Sequence, residues 1–187
     1  MLRSIVVAAV LIGGAAAAHA DSIEDKAAIC AACHGEKGLP AEKAIPIIWG
    51  QQEGYLYLQL RDFQKGARKD DRMTPIAQSL SREDALALAA YFSAQKWPNT
   101  GAPQASKADT AAAMTAINSI VCTSCHLAQF QGDSSVPRIA DQSHDYLLKT
   151  MMDFRTHARG NNPGMSDLMN SATPEQLAPI AAYLAGF

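Results

Sequence analysis

The chain has 187 residues, with 16 lysines and arginines against 18 aspartates and glutamates, so its formal net charge is −2. This near-neutral balance lacks the excess of positive charge typical of nucleic-acid-binding proteins, and we expect no nucleic-acid partner. The length suits one ordinary domain or two small ones.

The first 20 residues have the pattern of a secretory signal peptide. Arg3 lies in a short basic start, an apolar run covers residues 5–18, and residues 18–20 form an A-x-A cleavage site. An uncleaved membrane anchor is the alternative, but the apolar run is shorter than the ~20 residues that a spanning helix needs. We therefore predict a cleaved signal peptide at residues 1–20 and a soluble mature chain, beginning at Asp21, in the periplasm.

Two short stretches then combine a cysteine pair with a histidine. Ser22 is expected to begin a helix that reaches CAACH at residues 30–34, and a helix predicted from Asp109 to Ile120 leads to CTSCH at residues 122–126. Four cysteines in an exported chain would ordinarily predict two disulfides. A CxxC pair can also be a redox pair, half of a zinc site or a haem attachment site.

The adjacent histidines favour haem. Zinc sites built from two CxxC pairs usually space them by ~15 to 20 residues, and a thioredoxin-like pair needs a βαβ context and no neighbouring histidine. In CxxCH the two thiols add to the haem vinyl groups and place the histidine under the iron. The sequence therefore predicts two covalently bound haem c groups, attached through Cys30, Cys33, Cys122 and Cys125, with His34 and His126 as iron ligands.

The rest of the chain has a helical pattern. Central helices are predicted from Glu53 to Lys65 and from His144 to His157. Closing helices are predicted after Ser81 and after Thr173, each of which has a capping-box partner three residues later. No alternating stretch of useful length predicts a strand. We therefore expect an all-α fold.

The second half of the chain repeats the first. The two CxxCH stretches are offset by 92 residues (122 − 30), as are Met73 and Met165 (165 − 73), whereas positions between them are offset by 91 (137 − 46). A duplication of this kind predicts two tandem domains. The positions matched at 91 are Pro46, Gln51, Tyr55, Leu56, Phe63 and Arg68 with Pro137, Gln142, Tyr146, Leu147, Phe154 and Arg159.

The domain boundary is expected where helical periodicity breaks. Residues 97–110 contain Pro98, Gly101 and Pro103 among small polar residues. We place an N-terminal domain at residues 21–98, a short linker at 99–108 and a C-terminal domain at 109–187. Domains of this size have a marginal hydrophobic core by themselves, and a buried haem would add apolar interior to each.

The sixth iron ligand of the first haem follows by elimination. Residues 21–107 contain one methionine, Met73, and one histidine, His34. Met73 is therefore predicted as the sixth ligand, in a loop before the closing helix. Methionine opposite histidine raises the reduction potential, and an iron with both ligands exchanges electrons without binding a substrate.

The second half offers more candidates. Alignment of the repeats selects Met165 as the sixth ligand, with Met169 as the alternative. The other methionines fall at helical positions, where methionine commonly fills the core. Two histidines are expected at helix ends instead of on iron. The side chains set aside in this way are Met114, Met151, Met152, His144 and His157.

Other repeated residues are candidates to support the haems. A ligating histidine is normally oriented by an acceptor for its second ring N–H, and Pro46 and Pro137 could each offer a carbonyl. Three further pairs are candidates to bind haem propionates, with core packing as the alternative for the aromatic ones. They are Arg68 and Arg159, Gln51 and Gln142, and Tyr55 and Tyr146.

On these residues the chain resembles the cytochrome c4 family of dihaem class I cytochromes c. The resemblance is carried by CAACHG, GQQEGYLYLQLRDFQKGAR and RMTPIAQSLSREDALALAAYF in the first half, and by VCTSCH, DQSHDYLLKTMMDFRTHARGN and GMSDLMNSATPEQLAPIAAYL in the second. It implies two cytochrome c folds related by a pseudo-twofold axis, with haem propionates near the domain interface. The second half departs from the pattern at Asp141, opposite Gly50, and at Leu127, opposite Gly35.

The resemblance also implies periplasmic electron transfer and no small-molecule substrate. The expected partners are redox proteins such as the cytochrome bc1 complex, a haem-copper terminal oxidase or a periplasmic dehydrogenase, and peripheral membrane association is compatible with this role. Two alternatives remain open at this point: a cytochrome subunit bound permanently to a dehydrogenase or oxidase, and a dihaem peroxidase-type enzyme. A methionine for each haem argues against the peroxidase.

Overall fold

The computed structural model describes residues 22–187, and the predicted signal peptide at residues 1–20 lies outside the described residues. The described part of the chain consists of helices joined by loops, with one isolated bridge between Asp133 and Val136. Between residues 22 and 187, no helix is both long enough and apolar enough to cross a membrane.

The helices fall into two series. The N-terminal half contains α1 (Ile23–His34), α2 (Glu53–Gln64), α3 (Met73–Gln78) and α4 (Arg82–Ser93). The C-terminal half contains α5 (Lys107–Ile120), α6 (Thr123–His126), α7 (His144–Arg155), α8 (Pro163–Ser171) and α9 (Pro174–Ala185).

The helix starts follow the predicted capping residues. Ser22 Oγ accepts a hydrogen bond from the Asp25 backbone N–H at 3.2 Å, and Ser81 Oγ accepts one from the Asp84 N–H at 3.0 Å. In the second half, Gln176 Oε1 accepts from the Thr173 N–H at 2.8 Å. Each such cap satisfies backbone donors that have no partner within the helix, and it is worth about 1 kcal/mol.

The predicted loop around Met73 is wrong, because Met73 begins α3. Asp70 Oδ1 accepts hydrogen bonds from the N–H groups of Arg72 and Met73, at 3.0 and 2.9 Å, and so caps this short helix. Pro75 is the third residue of α3. Proline is tolerated in the first turn because its missing N–H would have no intrahelical partner there. Proline therefore marks the start of a helix at this position.

The main helix pairs are the same in the two halves. The first and last helices of each half contact one another, as α1 with α4 and α5 with α9. The central helix contacts the last helix, as α2 with α4 and α7 with α9, and also the short helix, as α2 with α3 and α7 with α8. The buried core of the N-terminal half includes Leu56, Leu88 and Phe92, and that of the C-terminal half includes Ile117, Leu177 and Ile180. The sequence repeat is therefore also a structural repeat.

Candidate haem-binding sites

The first CxxCH stretch forms the last turn of α1. Cys30 is half-buried and Cys33 is exposed, and neither forms a disulfide. Their i, i+3 spacing places them on one face of the helix. His34 is only 6% exposed, and its Nδ1 lies 2.8 Å from the carbonyl oxygen of Pro46. A carbonyl can only accept, so Nδ1 carries the proton and Nε2 is the nitrogen left for a metal.

The second stretch has the same arrangement on a shorter helix. α5 ends at Ile120, Val121 adopts a left-handed backbone with φ 58°, and α6 then carries Cys125 and His126. Cys122 is half-buried and Cys125 is exposed, and again neither forms a disulfide. His126 is 7% exposed, and its Nδ1 lies 2.9 Å from the Pro137 carbonyl oxygen. The predicted carbonyl acceptors are thus present in both halves.

Burial keeps both histidines neutral. Desolvation lowers the pKa of His34 and of His126, and this effect outweighs the hydrogen bonds to Pro46 and Pro137, which by themselves would raise the pKa values. A metal-ligating imidazole must be neutral. Both side chains are therefore in the protonation state that binds iron.

Met73 and Met165 occupy equivalent places. Each is half-buried in the first turn of the short helix that contacts the central helix of its half. Each backbone N–H is held by a polar side chain, that of Met73 by Asp70 Oδ1 at 2.9 Å and that of Met165 by Asn162 Oδ1 at 3.0 Å. These caps fix the start of each helix, and hence the backbone position of each methionine.

The other methionines of the second half have packing environments. Met169, the alternative ligand, is 3% exposed and belongs to the hydrophobic core, as does Met151. Met114 is exposed on α5. Met165 lies at the edge of the core, as Cys122 does. The two histidines that were not predicted as iron ligands lie near the ends of α7. His144 is its first residue, and His157 lies two residues beyond its last.

A polar cluster joins the two halves between the sites. The guanidinium of Arg68, from the first half, donates to the hydroxyl of Tyr146 at 3.2 Å, and that of Arg159, from the second half, donates to the hydroxyl of Tyr55 at 3.3 Å. Each guanidinium also stacks on a phenylalanine of its own half, at 4.6 Å from the Phe63 ring centre for Arg68, with the same arrangement in the second half. Each arginine therefore contacts a tyrosine of the opposite half, and the two crossed contacts are equivalent in the sequence repeat.

This cluster has an excess of positive charge. Within the described residues, neither Arg68 nor Arg159 forms a salt bridge with a carboxylate. Burial by itself raises the pKa of the Tyr146 hydroxyl, but the charges of the two guanidiniums outweigh it and bring the pKa down to about 7. In the same cluster, burial first and then the neighbouring Tyr146 raise the pKa of Tyr55, so the two arginines favour one negative charge on this pair of hydroxyls. The propionates of a haem would meet this electrostatic demand.

Sequence comparison of the halves missed Gln59, the centre of this cluster. Its Oε1 accepts hydrogen bonds from Arg68 Nη1 at 2.9 Å, Arg159 Nη2 at 2.8 Å and Asn161 Nδ2 at 3.0 Å. The repeat gives no signal here, because Thr150 stands at the equivalent position (59 + 91). A helical-face argument would have found it, since Gln59 follows Tyr55 by one turn on α2.

Gln51 and Gln142 were candidates to bind propionates, but the structure gives their side chains other partners. Each is buried and hydrogen-bonded to the backbone of the opposite half, Gln51 at Arg138 and Gln142 at Ile47. Asp141, the departure from the family pattern, has φ 56° where the equivalent Gly50 has φ 67°. Its carboxylate accepts a hydrogen bond from the Thr100 hydroxyl in the predicted linker.

The described residues fit covalent haem. Each half has two cysteines that form no disulfide, a neutral buried histidine with Nε2 available, and a half-buried methionine at the start of a short helix. The cationic cluster between the halves suits carboxylates, and the buried Trp97 Nε1–H has no acceptor within the described part of the chain. Between residues 22 and 187, no three histidine, cysteine, aspartate or glutamate side chains form a group that could hold a metal ion.

Comparison with known proteins gives relatives that match over most of the chain. No family model matches the chain. A cytochrome c4 of Azotobacter vinelandii is 34% identical over 190 residues, which cover 91% of this chain and 90% of the relative. A protein of Stutzerimonas stutzeri named as a thiosulfate dehydrogenase electron acceptor is 32% identical over 167 residues, 83% of this chain and 77% of the relative. A solved cytochrome c4 structure from Acidithiobacillus ferrooxidans matches with a TM-score of 0.78 and 30% identity, over 86% of this chain and 99% of that one.

Proposed function

The chain belongs to the cytochrome c4 family, and from this premise we propose that its haems are attached and ligated by the residues that the two CxxCH stretches and their partner methionines supply. The protein is an electron-transfer protein and not an enzyme, and it carries two covalently bound haem c groups. The family, the all-α fold and the electron-carrier function predicted from sequence are confirmed by these relatives.

Each half is proposed to supply one set of residues that attach and ligate one haem. Cys30 and Cys33 hold the first haem and Cys122 and Cys125 the second. His34 with Met73 would bind the first iron, and His126 with Met165 would bind the second. The observation that carries this assignment is the repeated histidine geometry, in which a buried neutral imidazole has Nδ1 on a proline carbonyl and Nε2 available.

The residues around each haem then have separable tasks. A haem iron held by histidine and methionine supplies one-electron chemistry without an open coordination position. The proline carbonyls orient the histidines and increase their basicity. The caps at Asp70 and Asn162 place the methionines, and Arg68 with Arg159 binds the propionates. With histidine and methionine both held in place, neither iron would have a coordination position open to a substrate.

The partners are proposed to be redox proteins in the periplasm. One relative carries the name of a thiosulfate dehydrogenase electron acceptor, so a periplasmic dehydrogenase is the donor class for which a related protein gives a precedent. The cytochrome bc1 complex and a haem-copper terminal oxidase remain the other proposed partners. Periplasmic location rests on the predicted signal peptide and on membership of a c-type cytochrome family.

The test is an optical spectrum of the matured protein with matched attachment variants. We expect two haems per chain, a near-infrared methionine-to-iron band in the oxidised form, and no response of the reduced form to carbon monoxide. Replacing Cys30 and Cys33 by serine, or Cys122 and Cys125 by serine, should each leave one haem per chain on a denaturing gel. A haem that binds carbon monoxide in the unmodified protein would contradict the ligand assignment.

A further inference from the structure

Two buried glutamines connect the halves in a reciprocal manner. Gln142 is 3% exposed, and its side-chain amide pairs with the backbone of Ile47. Oε1 accepts from the Ile47 N–H at 2.9 Å and Nε2 donates to the Ile47 carbonyl at 3.0 Å. Gln51, 4% exposed, pairs in the same way with Arg138, at 2.7 and 2.9 Å. Each glutamine therefore satisfies both backbone groups of one residue in the opposite half.

The residues that the glutamines hold lie next to the prolines that orient the histidines. The Ile47 N–H and the Pro46 carbonyl are the two ends of one peptide unit. The N–H donates to Gln142, and the carbonyl accepts from His34 Nδ1 at 2.8 Å. In the other half, the peptide between Pro137 and Arg138 links His126 to Gln51 in the same way.

Hydrogen bonds in such a series reinforce one another. An acceptor on the N–H side of a peptide polarises its carbonyl, and a more polarised carbonyl accepts more strongly from the imidazole. A stronger hydrogen bond at Nδ1 makes the imidazole a better electron donor to its metal. A better donor stabilises the ferric state and lowers the reduction potential.

We propose that Gln142 and Gln51 are positioning residues that act across the domain interface. Gln142, in the C-terminal half, tunes His34 of the N-terminal haem, and Gln51, in the N-terminal half, tunes His126 of the C-terminal haem. This inference rests on the proposed function, in which these histidines bind iron. Its consequence is that docking of the two halves contributes to both reduction potentials.

The experiment compares the holoprotein with Gln142→Met and Gln51→Met, in which a side chain of similar length lacks the strong acceptor. Gln142→Met should raise the potential of the N-terminal haem, seen as an about threefold higher ferrous-to-ferric ratio at a fixed electrode potential. The C-terminal haem should change much less. Gln51→Met should raise the potential of the C-terminal haem and change that of the N-terminal haem much less.

The two haems are distinguished by a marker substitution. Met165→His places a second histidine on the C-terminal iron and lowers its potential relative to histidine and methionine, so that the two waves separate. The glutamine variants are then measured in this background. If Met165→His moves neither wave, this result contradicts the proposed iron ligand Met165 and not the proposed effect of the glutamines on the histidines.

Two further measurements separate this effect from a purely structural role. Gln142→Glu keeps an acceptor for the Ile47 N–H, so the N-terminal haem should show no rise in potential. In the unmodified holoprotein, the Ile47 and Arg138 amide protons should exchange slowly, and each should exchange faster when its own glutamine is replaced. Equal shifts at both haems, no shift in a folded variant, or a rise with Gln142→Glu would overturn the proposal.

Discussion

At the scale of single residues, the two halves place different residues in a positive-φ backbone conformation directly after the ligating histidine. Gly35 and Leu127 both have a positive φ, 89° and 66°. Leucine at φ 66° and ψ 170° lies in a region that is essentially restricted to glycine and costs about 1 to 3 kcal/mol. The duplication has therefore kept the backbone geometry in the second half while losing the residue that suits it.

Leu127→Gly should stabilise the holoprotein by about 1 kcal/mol, since relief of backbone strain exceeds the greater flexibility of glycine in the unfolded chain. Leu127 is 37% exposed, so the lost burial is small. The measurement is the free energy of unfolding by denaturant, with both haems attached. Equal or lower stability would mean that the surrounding loop needs the leucine side chain.

Gly35→Ala should have the opposite effect, with a loss of more than about 2 kcal/mol. A Cβ at Gly35 would lie 2.2 Å from the Leu39 carbonyl oxygen, in addition to the penalty for positive φ. Gly66→Ala is the matched control, because Gly66 has φ 71° with nothing within 4 Å of its Cβ position. The control should lose only about 1 kcal/mol. Equal losses in the two variants would contradict the steric explanation.

At the scale of elements, the short helices α3 and α8 place the methionines through their caps. Asp70→Ala removes the acceptor for the Met73 N–H and should cost about 1 kcal/mol of stability. It should also weaken the near-infrared methionine band of the N-terminal haem on warming. Asp71→Ala is the control, because the neighbouring Asp71 is exposed and has no hydrogen bond or salt bridge among the described contacts. If both variants behave alike, the cap is not what holds Met73.

The contact between α1 and α4 should be pH-dependent. Lys26 Nζ lies 2.5 Å from Asp84 Oδ1. The hydrogen bond with Lys26, and to a smaller extent those with Ser81, hold the pKa of Asp84 below its usual value. A carboxyl with a lowered pKa contributes stability that is present above its unfolded pKa of about 3.9 and is lost as pH falls through the folded pKa. The difference in melting temperature between the unmodified protein and Asp84→Asn should be present near neutral pH and should shrink as the pH falls below the unfolded pKa of about 3.9. A difference independent of pH would exclude the ion pair as its origin.

Local signals predicted much of the fold. The capping boxes at Ser81 and Thr173 and the CxxCH stretches act within a few residues, so they can be recognised in the sequence. Helix ends were less accurate, since α7 ends at Arg155 and not at the predicted His157. The loop predicted at Met73 failed because Asp70 was not recognised as a cap. The contacts of Gln51 and Gln142 could not be predicted, because their partners lie in the other half and depend on how the halves dock. Gln59 was missed because the repeat has Thr150 at the equivalent position.

At the scale of the whole molecule, the interface between the halves joins the two haem sites through symmetric and asymmetric contacts. The glutamine pairs and the crossed arginine–tyrosine contacts follow the repeat, each residue having its equivalent in the other half. Gln59 does not, because Thr150 stands at the equivalent position of the second half. Gln59 Oε1 accepts from Arg68 of the N-terminal half and from Arg159 of the C-terminal half. An interface of this kind should make the two halves unfold together, since neither half can satisfy the cluster alone.

Gln59→Leu should uncouple the halves. Loss of its Oε1 leaves buried guanidinium and amide donors without this acceptor, at a cost of about 1 to 3 kcal/mol for each group that finds no replacement. Because the loss falls on the interface, we expect unfolding of the holoprotein to broaden or split into two transitions. Gln64→Leu is the matched control on the same helix, since Gln64 Nε2 donates within its own half to the Leu80 carbonyl at 2.9 Å. The control should lower stability while keeping a single transition. A single sharp transition in Gln59→Leu would show that the glutamine pairs are sufficient to couple the halves, and the contribution of the arginine–tyrosine cluster would then be to haem binding alone.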